Sequence, residues 1–199
     1  MRVLIACESS GVVREAFRSR GHDAWSCDLL PAEDGSRFHI RGDALAVAQE
    51  GHWDLMVAHP PCTYLAASGL HWNLRREGRQ AQTEAALEFV QKLMDAPIPR
   101  IAIENPVGCI STRIRKASQY IQPWQFGHPH SKKTGLWLKN LEPLEPTNVL
   151  ATPESGRWEN QTPSGQNKLG PSPERWKERS RTYEGIAEAM ADQWGGCTD

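Results

Sequence analysis

The sequence predicts an α/β fold, a mostly parallel, Rossmann-like sheet flanked by helices. Three observations lead there. Apolar runs without polar alternation, the mark of strands covered on both faces, occur at residues 2–7, 54–58 and 100–103. Stretches with helical spacing separate them, so strand and helix alternate as in βαβ units. The strands run into abrupt turns (Glu8-Ser9-Ser10-Gly11, His59-Pro60-Pro61-Cys62, Glu104-Asn105-Pro106), which places polar side chains at the carboxyl rim, where open α/β sheets bind ligands.

A chain of 199 residues is long enough for one domain with a sizeable core, or one domain plus a small appendage. No apolar run approaches the ~20 residues of a membrane span. Met1–Cys7 is too short and too soon polar for a secretory signal. The five cysteines, at 7, 27, 62, 109 and 197, form no Cys-x-x-Cys pair. That argues against a disulfide framework and a structural zinc, and for a reducing, cytoplasmic setting. The net charge of −1 hides an asymmetry: residues 61–140 carry 11 basic and 5 acidic side chains, between flanks with an acidic excess. A polyanion is attracted to that middle third, although a solvated basic surface accounts for it equally. Trp72, Trp158 and Trp176 stand in polar, loop-like contexts.

Arg2–Cys7 reads as a buried strand, Glu8–Gly11 as a turn, and Val12–Arg20 as a helix closed by Gly21. Ala24–Cys27 is the next strand, ending at Asp28. A tight turn into a helix, with a carboxylate at the end of the second strand, is how nucleotide-like cofactors are held, although Gly11 stands alone where dinucleotide folds have three glycines. Asp43 opens a helical stretch to Gly51, as cofactor contact or as helix cap. Residues 54–58 form a strand leading to Cys62. Ala66–Gln82, with Trp72, Arg75, Arg76 and Arg79, reads as an irregular loop, either a lid over nucleic acid or solvated surface. Thr83–Ala96 is an amphipathic helix with Ala86, Phe89, Val90, Leu93 and Met94 on one stripe. Arg100–Ile103 is a strand that Glu104–Gly108 ends, and a right-handed crossover then sets Glu104 beside Cys62. Ile110–Ile121 is a basic helix or loop, and Gly135–Lys139 a strand. His128 and His130 have no third metal ligand, so no metal is expected. Leu141–Pro173 has no periodicity. Tyr183–Trp194 is a helix with Ile186, Ala187, Met190 and Trp194 inward. The chain divides into a catalytic and cofactor-binding unit (1–140), an irregular region (141–180), and a C-terminal helix packing back on the first unit (181–199).

Carbon 5 of cytosine is a poor nucleophile. A thiolate added at carbon 6 makes the ring enamine-like, provided an acidic group neutralises charge developing at N3. Cys62 on its stiff Pro-Pro turn and Glu104 fit those roles.

With these motifs the chain resembles the cytosine-C5 DNA methyltransferase family, in a small, phage-type form. Pro61-Cys62 looks like the family's Pro-Cys motif with Cys62 as nucleophile, and Ile103-Glu104-Asn105-Pro106 resembles Glu-Asn-Val with proline for valine. Phe126–Thr134 is similar to the Gln-x-Arg-x-Arg segment, with His130, Lys132 and Thr134 at its three positions, so the final arginine is missing. Arg181–Ile186 looks like the closing motif. The resemblance implies the Rossmann-like fold of S-adenosyl-L-methionine-dependent methyltransferases, that cofactor, and duplex DNA with a flipped cytosine as substrate. It further implies cofactor contacts from Gly11, Asp28, Asp43 and Pro60, and substrate contacts from Pro61, Asn105, Arg75, Arg76, Lys132, Lys133 and Thr134. Residues 141–180 are too few for an ordinary target-recognition domain, so low or short sequence specificity is expected. The alternatives are the same chemistry on a free cytidine nucleotide, single-stranded DNA or RNA; an inactive DNA-binding homologue; and an amino-methyltransferase, whose Asp/Asn-Pro-Pro-Tyr/Phe motif His59–Cys62 superficially matches.

Overall fold

The structure is a computed structural model that describes residues 1–164, 167–170, 172 and 175–196; Cys197 and the Trp176 side chain lie outside the described residues. Seven strands form one sheet: β1 (Arg2–Ala6), β2 (Asp23–Asp28), β3 (His39–Arg41), β4 (Leu55–Ala58), β5 (Arg100–Pro106), β6 (Gln119–Ile121) and β7 (Thr134–Lys139). Their order is β3-β2-β1-β4-β5-β7-β6, parallel except for β7, which runs antiparallel to both β5 and β6. This is the expected α/β class, a mostly parallel, Rossmann-like sheet flanked by helices.

The apolar runs are explained by two cores, one on each face. Leu4 and Ala6 of β1 and Met56 and Ala58 of β4 face α2 (Ala44–Gln49) and α4 (Arg79–Met94). Val3, Ile5, Leu55 and Val57 face α1 (Val12–Arg18) and the C-terminal helix at Glu184–Gly195. All eight are fully buried, and each large aliphatic side chain contributes about 1.5–3 kcal/mol relative to an exposed position. A strand covered on both faces has no room for the polar alternation of a half-exposed one.

Several elements differ from expectation. The amphipathic helix begins at Arg79, four residues early; its buried residues are Thr83, Leu87, Val90, Leu93 and Met94, and the expected Ala86 and Phe89 pack partly buried against the same core. The stretch before it is ordered into α3 (Ala67–Leu70) and a 3-10 turn at His71–Leu74. Residues 110–121 split into α5 (Ile110–Arg113) and β6. A short helix, α6 (Arg175–Ser180), precedes the C-terminal helix, now α7 (Glu184–Gly195). Trp158 is buried and stacks parallel on Trp124 at 5.8 Å, fastening the irregular region to the Pro123–Gln125 turn.

Candidate active site

The order of strands reverses between β1 and β4, and a cavity of about 490 Å³ opens there at the carboxyl ends of β1, β2, β4 and β5. Position and size suit a small-molecule site. Cys62 and Glu104 both line it.

The parallel pairing of β4 with β5 aligns Ala58 with Ile103, so the next residues, His59 and Glu104, come level. His59 Nδ1 lies 3.1 Å from Glu104 Oε2. The Pro60 carbonyl accepts from the Asn105 side-chain amide at 2.7 Å, so that nitrogen secures the turn below Cys62. The Cys62 carbonyl accepts from Leu65 and Ala66 N–H, closing a 3-10 turn at Cys62–Tyr64. The following carbonyls are held from α4: Arg79 donates to Thr63 O at 2.6 Å and Thr83 Oγ1 to Tyr64 O at 3.1 Å. The turn that carries Cys62 is thus clamped from the sheet and from a helix.

A second stitch joins the segments after Cys62 and after Glu104. Ala66 and Gly108 form an antiparallel bridge, with Ala67 N donating to Val107 O and Cys109 N to Leu65 O, each at 2.9 Å. A Cβ on Gly108 would overlap the Leu65 carbonyl, which is backbone and cannot swing aside. Gly108→Ala is expected to destabilise the fold by about 1–3 kcal/mol, lowering the denaturation midpoint, and to slow any reaction that needs Cys62 and Glu104 together. Thermal or urea unfolding checks the first effect.

The antiparallel β7 brings its start beside the end of β5, pairing Pro106 with Thr134. Lys132 therefore reaches the cavity, and Thr134 is buried next to Glu104. Burial pushes the Glu104 carboxyl up, but the His59 hydrogen bond, the Lys132 charge, the His59 charge and Thr134 together outweigh it and hold Glu104 below the usual carboxylate range. Cys62 goes the other way: burial, then the Glu104 charge, push its thiol up, only partly offset by Lys132 and Arg179. At neutral pH these directions favour a protonated thiol and an ionised carboxylate on the wall of one cavity.

The other expected residues divide. Asp28, Pro60 and Pro61 line the same cavity, with Asp28 Oδ1 accepting from Leu30 N at 2.9 Å. Asp43 does not line it; its carboxylate caps α2 by accepting from Leu45 N at 2.9 Å, a local bond open to any Asp before a helix. Gly11 lies in a separate, shallower cavity between α1 and α7, and its φ of 75° and the Arg14 guanidinium against it account for the glycine. Arg75, Arg76 and Lys133 are also outside the lining, Arg76 over the Trp72 ring and Lys133 over Tyr120. His128 and His130 hold the closing segment: Gly185 N donates to His128 Nε2 at 3.0 Å, and His130 Nδ1 pairs with Tyr183 OH at 3.2 Å.

Several cavity residues escape the sequence reading, and three of them matter most here. His59 is one. Glu8 is another, its carboxylate taking the Val13 and Arg14 N–H groups at 2.8 and 3.3 Å. The third is Arg179 of α6, which lies at the cavity with Arg181, itself paired to Glu33 at 3.5 Å. The basic alternation Arg175, Lys177, Arg179, Arg181 was the available signal for the last.

The residues at the β1 and β2 ends of this cavity are compatible with S-adenosyl-L-methionine, the cofactor the sequence resemblance implies. Glu8 occupies the amides at the start of α1 that a dinucleotide's pyrophosphate would use, and this cofactor has no phosphate to place there. Asp28 stands where a carboxylate meets ribose hydroxyls.

No family model and no curated protein matches the sequence. Among solved structures the chain is similar to a candidate DNA modification methyltransferase encoded within an E. coli prophage, with a TM-score of 0.49 and 10% identity over 78% of this chain and 53% of that one. The chain spans about half the length of that protein. Function has to be argued from the site itself.

Proposed function

We propose that this chain is an S-adenosyl-L-methionine-dependent methyltransferase that methylates carbon 5 of cytosine in DNA through a covalent Cys62 adduct. The observation that carries this reading is that Cys62 and Glu104 line one cavity, on two segments stitched together by the Ala66–Gly108 bridge.

The residues divide the work as follows. A cytosine extruded from the duplex enters with its Watson–Crick edge toward Glu104 and carbon 6 over Cys62. The thiol gives up its proton to Glu104, and the Sγ–C6 bond forms as the ring's C5=C6 electrons move toward carbon 5. Glu104 passes the proton to N3, which removes the charge the addition creates there. The bound cofactor supplies an electrophilic methyl group for carbon 5. Water takes the carbon 5 proton as the Sγ–C6 bond breaks, and the N3 proton returns through Glu104 to the departing Cys62 thiolate. Lys132 and Arg179 put two cations at the cavity, taking the place of the missing arginine and attracting the nucleotide's phosphate. Asp28 and Pro60 line the cofactor side. Recognition beyond the flipped base is short or weak.

Trapping tests this. Duplex DNA carrying 5-fluorocytosine, incubated with the protein and the cofactor, is expected to give a denaturation-resistant adduct, because fluorine cannot leave carbon 5 as a proton does. The same reaction with single-stranded DNA, RNA or the free nucleotide ranks the substrates. Trapping on the free nucleotide alone would replace DNA as substrate, and no trapping on any of them would sink the cytosine-C5 reading.

A further inference from the structure

His59 is the one residue of the Pro-Pro-Cys turn with no task in the chemistry above. It directly follows β4, its N–H donates to Ala6 O at 2.9 Å, and its side chain is 8% exposed. Nδ1 faces Glu104 Oε2 at 3.1 Å, and with Glu104 ionised that nitrogen must carry the proton. Among the described residues nothing hydrogen-bonds to the other nitrogen, Nε2, which is buried. Glu8 lines the same cavity, its carboxyl pushed up by burial and drawn back by the His59 charge and the Val13 and Arg14 amides. Buried packing alone is better served by leucine, which leaves no polar atom without a partner. The imidazole makes physical sense if the Nδ1 bond matters.

Resting on the methyltransferase reading, we propose that His59 is the positioning residue of the site: its Nδ1–H holds one oxygen of Glu104, which leaves the other to take the proton from Cys62 and pass it to N3 of the target cytosine. The register of β4 on β5 makes this bond short, because it sets positions 59 and 104 level. The charged and titratable groups around the pair are Glu8, itself beside Arg14, from the turn after β1; Cys62 from its own turn; and Lys132 from the segment before β7. None of the others has a hydrogen bond to Glu104 like that of His59, apart from the neutral Thr134 hydroxyl. Loss of His59 therefore removes the largest influence holding the Glu104 carboxyl down, and burial then pushes it up. Glu104 becomes protonated at higher pH and can no longer accept the thiol proton, so activity is lost earlier on the acid side.

Two variants separate this role from packing. His59→Asn keeps an N–H donor close to the Nδ1 position and cannot be charged, whereas His59→Leu keeps bulk and removes the donor. On duplex DNA, His59→Leu is expected to lower kcat 10- to 100-fold with KM changed less than threefold, and to move the acid limb of the pH–rate profile to higher pH. His59→Asn is expected to recover most of kcat and the wild-type acid limb. The Glu104 carboxyl titration, followed by NMR of glutamate labelled at the carboxyl carbon, reads the same bond without substrate: it rises in the Leu variant and stays in the Asn variant. Equal impairment of both variants, or an unmoved Glu104 titration in His59→Leu, overturns the proposal. If wild type traps no 5-fluorocytosine substrate, it is the methyltransferase reading that fails, and the titration still decides whether His59 governs Glu104.

Discussion

Cys62→Ala is expected to form no adduct with 5-fluorocytosine DNA and to transfer methyl groups at least about 10⁴-fold more slowly than wild type, since removing a nucleophile removes the covalent route altogether. The loss should leave the fold intact. Cys62 is half-buried, and the turn is held by its backbone carbonyl and by Arg79, Thr83 and Asn105 rather than by its thiol. Circular dichroism and the unfolding midpoint check that point. The pH behaviour of the wild type adds a sharper expectation. Burial and the Glu104 charge raise the thiol above its ordinary value of 9.0, so alkylation of Cys62 by iodoacetamide is slow at neutral pH and speeds up past pH 9.0. Methyl transfer differs, because the thiol's proton goes to the substrate and not to solvent. Its rate is expected to hold steady across the neutral range and to fall on the acid side only when Glu104 protonates, below its ordinary 4.5. An alkylation rate already at its plateau at pH 7 would contradict the raised thiol and with it the internal proton transfer.

How far the sequence reached is best seen strand by strand. β1, β4 and β5 were legible because burial on both faces forces continuous apolar runs. β3 and β6 were not: each is three residues long, and neither His39–Arg41 nor Gln119–Ile121 contains an apolar run. Their strand character comes from pairing with β2 and β7, which no local pattern encodes. The antiparallel direction of β7 was equally hidden, since the spacing of a strand does not state its direction. The site divides in the same way. Cys62 and Glu104 could be brought together from two strand ends and one crossover. His59, Glu8 and Arg179 could not, because their places depend on a register, on a carboxylate folding back onto its own helix, and on a short helix from the far end of the chain. Asp43 was read as cofactor contact or helix cap, and its hydrogen bond to Leu45 N gives it the cap role.

Glu104→Gln should pull apart two quantities that usually move together, lowering methyl transfer by about 10²–10⁴-fold while making Cys62 more reactive toward iodoacetamide at neutral pH. Glutamine has the size of glutamate and can accept from His59 Nδ1–H, so the packing around β5 is kept. It cannot take a proton from the thiol or give one to N3, and that accounts for the loss of turnover. It also carries no charge. In the wild type the Glu104 carboxylate is, after burial, the main influence raising the Cys62 thiol, whereas Lys132 and Arg179 lower it. Removing the carboxylate leaves burial alone opposing the two cations, so Cys62 ionises at lower pH and alkylates faster. A Glu104 that served only as packing would leave both rates alone. One that served only as a hydrogen-bond acceptor would be replaced by glutamine at little cost in turnover. The combination of a faster thiol and a slower enzyme is specific to a carboxylate that moves the proton, and measuring both rates on the same preparation decides between these cases.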